Sequence, residues 1–146
     1  MKEVILKEKK KLLIREVEID NGNNNLLVLE RIDRSKEFTF QKKRLYLELL
    51  VNGVVPLYRT NLNDIEKFFI KDHNGNIVQL LYKKYLYQRA ANYIGNDFSD
   101  ENNFYYRQLY SEARCLNKKM KFKPPEYTKL KLIAYFKKFN SGKCAN

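Results

Sequence analysis

The apolar positions of the first half of the chain recur every second residue. In "RLYLELLV" (44–51), Leu45, Leu47 and Leu49 fall on one side, and Tyr46, Glu48 and Leu50 on the other, the period of a pleated strand. Asn52-Gly53 follows, then "VVPLYRT" (54–60), which predicts a hairpin with a two-residue type I′ turn. Pro56 has no N–H to give to a ladder, so its strand is expected at a sheet edge or at a bulge. "IEKFFIKD" (65–72), "HNGN" (73–76) and "IVQLLYKKY" (77–85) form a second hairpin pattern. In it Phe68 and Ile70 alternate with Phe69 and Lys71, and Val78, Leu80 and Tyr82 with Gln79, Leu81 and Lys83. Upstream, "KLLIREVEID" (11–20) and "LLVLERID" (26–33) flank the turn-forming cluster "NGNNN". The stretch 80–95 is compatible with either strand or helix.

From residue 99 the period changes to three and four. Ser99 followed by Asp100 and Glu101 reads as an N-cap with acids in the first turn. Phe104/Tyr105, Leu109, Ala113 and Leu116 make an apolar stripe beyond it. Pro124-Pro125 forces extended backbone, Thr128 is placed to cap a last helix, and Leu132, Tyr135, Phe136 and Phe139 form its buried stripe, with Gly142 as its end. Strands first and helices after predict an α+β fold: an antiparallel β-meander of about four to six strands followed by two C-terminal α-helices. The expectation is a single domain over 1–146, strand-rich in 1–90 and helical in 99–142. Its core should include Leu45, Leu47, Leu49, Phe68, Leu80, Leu109, Leu132 and Phe136.

Composition narrows the class. At 146 residues, 44% hydrophobic and 14% aromatic, the chain has enough apolar mass to fold, and five Gly and three Pro leave little for linkers. No apolar run approaches the ~18 residues of a membrane-spanning helix. "MKEVILKEKKKLL" has charges where a secretory leader needs about 7–15 apolar positions, so no targeting segment is expected there. The net charge of +12 is uneven: residues 1–103 hold 18 basic against 15 acidic side chains, and residues 104–146 hold 11 against 2. Any polyanion contact is therefore expected in the last third, through Lys118, Lys119, Lys121, Lys123, Lys137 and Lys138. The competing reading is a solvated basic face that only keeps the protein soluble.

Little in the chain resembles catalytic machinery. His73, the only histidine, lies beside Asp72 in a predicted turn, where a structural role outweighs a dyad. Two Cys 29 positions apart and one distant His do not make a zinc site, and no phosphate-binding loop, dinucleotide fingerprint or nucleophile elbow occurs. "DFSDEN" (97–102) lacks the Gly and closing Glu of a calcium loop. Neither cofactor nor metal is expected, and an enzyme of unrecognised type ranks behind two binding classes. "LLYKKYLYQR" (80–89) interleaves rings and cations as single-strand binders do, but as a strand it would scatter its charges over both faces. Cys115 and Cys144 could bridge the two helix ends, with free buried thiols as the alternative.

Taken in order, "RLYLELLVNGVVPLYR", "FFIKDHNGNIVQLLYKKYL", "NNFYYRQLYSEARC" and "YTKLKLIAYFKKFN", with "IDRS" just upstream, resemble a family of uncharacterised cell-envelope proteins from Bacteroidetes bacteria. The resemblance covers roughly residues 28–144, with "VNGVV" standing where the family pattern has "VEGKA". It implies export to the periplasm or cell surface and a Cys115–Cys144 disulfide, and it brings no established ligand; the leading functional expectation is a non-catalytic envelope domain that binds a partner protein or an anionic surface component. The resemblance supplies no catalytic residues. A basic nucleic-acid-binding module, and with it a cytoplasmic location, is the alternative drawn from charge alone.

Overall fold

Why the strands bury what they bury follows from their period, and a computed structural model shows the result for residues 2–5, 11–20, 36–62, 64–87, 98–115 and 123–141. The strands are β1 (Lys2–Ile5), β2 (Lys11–Asp20), β3 (Phe40–Val51), β4 (Leu57–Leu62), β5 (Ile65–Lys71) and β6 (Ile77–Leu80). They pair antiparallel with each neighbour in chain order, a six-stranded meander. A separate two-stranded ladder joins β7 (Lys83–Tyr87) to β8 (Phe98–Asn102). Two helices, α1 (Tyr105–Cys115) and α2 (Lys129–Asn140), complete an α+β fold of sheet first and helices after.

Each face of the sheet has its own core. On the helix side, Leu57, Phe68, Ile70 and Leu80 meet Tyr105, Leu109 and Ala113 of α1 and Leu132, Phe136 and Phe139 of α2. On the opposite side, Leu13, Val17 and Ile19 of β2 close over Leu47 and Phe69. The alternation of Phe68 and Ile70 against Phe69 is what divides β5 between the two cores. Each such large apolar side chain contributes up to about 1.5–3 kcal/mol on burial. Leu47, Phe68, Leu80, Leu109, Leu132 and Phe136 are buried as expected, whereas Leu45 and Leu49 are only half-buried. Register shifts between Leu49 and Val51, and this irregularity turns consecutive residues Leu50 and Val51 both toward the helix-side core.

The β3–β4 connection is not a two-residue turn. Pairing stops at Val51↔Leu57, leaving residues 52–56 as a loop around the side chain of Asn140 at the end of α2. Asn140 Oδ1 accepts from Val55 N at 2.8 Å and its Nδ2 donates to Val55 O at 2.9 Å. Gly53, at φ +143°, sits so close to Asn140 that a Cβ would lie 2.4 Å from its Cγ. Pro56 precedes β4, and β4 is an interior strand, so the edge expectation is corrected; its carbonyl accepts from Lys71 N at 3.3 Å. β4 and β5 pair up to Leu62↔Ile65, and Asp64, just before β5, takes the left-handed φ of +65°.

The helix starts divide similarly. Thr128 caps α2 as expected, its hydroxyl accepting from Lys131 N at 3.3 Å. Ser99 does not cap α1. Residues 98–102 are strand, with Glu101 opposite Lys84 and Asp100 opposite Tyr85, so the acids serve cross-strand pairing and none lies in the first turn of α1. The segment 26–33, Leu116 and Gly142 lie outside the described residues.

Candidate functional site

α1 is positioned by its inward side. Tyr105 and Leu109 enter the helix-side core, and Tyr105 N donates to Leu81 O at 2.8 Å. Gln108 spans the break between β6 and β7, accepting from Leu81 N at 2.9 Å and donating to Gln79 O at 2.8 Å. Glu112 is buried, and its carboxylate receives His73 N at 2.8 Å and lies 2.7 Å from His73 Nδ1. His73 therefore staples the β5–β6 turn to α1. The Asp72 carboxylate caps the turn itself, accepting from Asn74 N and Asn76 N at 2.9 Å each. Two side chains 39 positions apart leave no local signature, which is why the sequence does not announce this pair.

What remains outward on α1 is aromatic and basic. Tyr106, Arg107, Tyr110, Ser111 and Arg114 are exposed, with Phe104 just ahead of them. The Arg114 guanidinium lies 5.7 Å from the centre of the Tyr110 ring. Of the expected anion contacts, Lys123 is exposed in the extended segment before α2, and Lys137 and Lys138 are exposed in the last turn of α2. Lys118, Lys119 and Lys121 lie outside the described residues. Cys115 is the last residue of α1 and Cys144 lies outside the described residues, which therefore contain no cysteine pair.

The run at 80–89 forms no single surface. β6 ends at Leu80, β7 starts at Lys83, and Gln88 and Arg89 lie outside the described residues. Lys83 is buried, donating to Glu37 O and lying 5.4 Å from the Phe38 ring centre, so it tethers the β7–β8 ladder to the chain entering β3. Tyr82 stacks on Tyr127 at 4.9 Å, and Tyr105 meets both edge-on. Burial pushes the Tyr82 hydroxyl up to about 12, with Glu101 adding to the shift. Burial likewise raises Tyr105 and Tyr127, whose hydroxyls donate to Pro125 O at 2.7 Å and Leu80 O at 2.6 Å. These phenols are proton-holding packing groups rather than bases.

Two open cavities are lined by described residues. One, of about 370 Å³, lies over Tyr46, Arg44 and Arg59 on the sheet, where Arg59 is engaged by Glu48 at 2.8 Å and by Glu66. Those carboxylates, Glu66 first, hold Arg59 above its ordinary pKa. The other, of about 300 Å³, is lined by Lys84, Ser99, Asp100, Glu101 and Asn103. The second brings a hydroxyl, an amine and two carboxylates together, but Ser99, Asp100 and Glu101 are all exposed to solvent, which is not the sheltered setting that acid–base chemistry needs. Among the described residues no group of three His, Cys, Asp or Glu side chains is placed to hold a metal ion, and no helix is long and apolar enough to cross a membrane. No protein-family model, curated protein or solved structure matches the chain.

Proposed function

We propose that the chain is a non-catalytic cell-envelope domain, at the periplasm or cell surface, that binds a partner protein or an anionic surface component through its C-terminal layer. One observation carries the binding part. The exposed charges of the described helical layer are nearly all of one sign, Arg107, Arg114, Lys123, Lys131, Lys137 and Lys138 against Glu126. A surface of that kind attracts anions at long range and is screened by salt, with a Debye length of about 8 Å at physiological ionic strength. The envelope part rests on the resemblance over residues 28–144. Lysine outnumbers arginine in this layer and lacks the fork that reads base edges, which favours contact without sequence readout.

The test is a salt titration of binding to heparin, anionic vesicles and mixed-sequence DNA, comparing the native chain with one carrying Lys118, Lys119, Lys121, Lys123, Lys137 and Lys138 all changed to Gln. The expected result is weaker binding and a shallower salt slope in the variant. Tight binding to one nucleic-acid sequence that survives both high salt and the lysine changes would replace this reading with the nucleic-acid module. Retention of the native product in the cytoplasm on cell fractionation would remove the envelope assignment.

A further inference from the structure

The outward face of α1 differs in kind from that of α2. Beyond Leu130 near its start, α2 exposes Lys131, Lys137 and Lys138, flexible hydrated cations suited to a solvated face. α1 exposes two tyrosines and two arginines, the residue types that concentrate at the energetic centres of protein interfaces. Tyr110 is 50% exposed, Phe104 42% and Tyr106 38%, so the fold leaves between a third and a half of each residue in water. Tyr106, Tyr110 and Arg114 follow at four-residue steps and so form one ridge, about 12 Å long at the helical rise of ~1.5 Å per residue. α1 itself contributes no carboxylate to the ridge, because its one acid, Glu112, is buried against His73.

We infer that the ridge Tyr106–Arg107–Tyr110–Arg114 is a docking surface for a protein partner that presents carboxylates around an apolar or aromatic side chain. Charge complementarity selects the carboxylates: each guanidinium offers a planar fork that a carboxylate can meet with two hydrogen bonds. The rings select a polypeptide over a nucleic-acid strand. A single strand needs a track of open ring faces along a basic groove, whereas this ridge is convex. Arg114 already lies against the Tyr110 ring, and Tyr106 packs against Tyr105 at 4.8 Å and 70°. A membrane surface is disfavoured because such helices present a broad Leu, Phe or Trp face, which this ridge does not.

The inference rests on the binding-domain reading, and one experiment separates their failures. Affinity of the full chain is measured for a Glu/Tyr random copolymer, for polyglutamate of matched length, for mixed-sequence single-stranded DNA and for anionic phosphatidylglycerol vesicles. The variants are Tyr106→Ala/Tyr110→Ala, Tyr110→Ala alone, Arg107→Gln/Arg114→Gln, and Tyr46→Ala as an exposed aromatic elsewhere on the sheet. The expected result is that the copolymer binds tighter than polyglutamate and that each α1 double change weakens it by roughly tenfold or more. Tyr46→Ala leaves copolymer affinity unchanged. Tyr110→Ala alone keeps the test valid if the double tyrosine variant melts early. Copolymer binding indifferent to the tyrosines, or DNA or vesicles bound more tightly through the same rings, overturns the inference while the broader reading stands. Failure of the native chain to bind any of the four anions overturns both.

Discussion

Lys67→Met tests whether the curl of the sheet is held by a buried charge. Lys67 Nζ lies 2.8 Å from Asp20 Oδ2 and 3.2 Å from Asp20 O, and the two side chains are only 4% and 3% exposed. Gln79 completes the group, its Nε2 donating to Asp20 Oδ2 at 2.6 Å and its Oε1 accepting from Asp20 N at 2.8 Å. The network ties the end of β2 to β5 and β6, strands that are not its sheet neighbours. Removing one member of a buried pair strands the other charge and costs about 3–5 kcal/mol. Because Gln79 still donates to Asp20 in the variant, the lower end applies, about 3 kcal/mol. For a chain of this size that corresponds to a melting temperature lowered by roughly 6–12 °C.

Chemical denaturation of the native chain, Lys67→Met, Asp20→Asn and the double variant supplies the measurement. Asparagine keeps an acceptor for Gln79 while removing the charge, so the double variant should recover most of the loss. The two single changes are then strongly non-additive. A Lys67→Met cost below about 1 kcal/mol, or additive single changes, would refute the claim that this pair closes the sheet.

Gly53→Ala should destabilise by about 3 kcal/mol or more, because it combines a left-handed φ of +143° with a clash against Asn140 and loss of the two Asn140–Val55 hydrogen bonds. Thermal melts in the native and Asn140→Gly backgrounds check it; in the second background, where the Asn140 Cβ, Cγ and Oδ1 are all gone, the steric part should disappear and the backbone part remain. The raised phenols predict an alkaline transition. The folded-state values of Tyr82, Tyr105 and Tyr127 lie above the unfolded value of about 10, so their stabilising effect is complete below that pH and declines as pH rises through the folded values, about 12 for Tyr82. Ultraviolet titration of tyrosinate alongside circular dichroism should show part of the tyrosine signal appearing only with unfolding; complete ionisation of a still-folded chain near pH 10 would contradict it.

Elements whose logic is local were legible in the sequence. β3, β5 and β6 declare themselves by alternation, and α2 by Thr128 and its Leu132/Phe136/Phe139 stripe. The failures share a cause, which is that a distant residue decides. Asn52-Gly53 has the chemistry of a tight turn, but Asn140, far along the chain, occupies the space and widens it to a loop. Ser99-Asp100-Glu101 has the chemistry of a helix start, yet Lys84 and Tyr85 across the ladder make it a strand. β1 is short and set among lysines, so only its pairing with β2 identifies it. The candidate site divides in the same way. The aromatic–basic run at 80–89 is the loudest signal, but the break after Leu80 splits it and Lys83 turns inward. Tyr106, Arg107, Tyr110 and Arg114 are quieter in sequence, because their shared exposure shows only once Tyr105, Leu109 and Ala113 are known to face the core.

That division of α1 bears on how well its outer face can bind. A partner meeting a mobile helix must order it, and each immobilised side chain costs about 0.5–1.5 kcal/mol of association free energy. Here the ordering belongs to folding. Glu112 is held by His73 from the β5–β6 turn, Gln108 by backbone groups of Gln79 and Leu81, and Tyr105 by Pro125 and the tyrosine cluster. These contacts come from three separate segments and fix the helix along most of its length. Arg114, lying against Tyr110, has part of its freedom removed before any partner arrives. The polar residues buried beneath α1 thus have a use beyond stability: they fix the direction in which the aromatic and basic ridge points. Loosening them, by Glu112→Gln for example, should weaken binding at the ridge without touching any residue that contacts the partner.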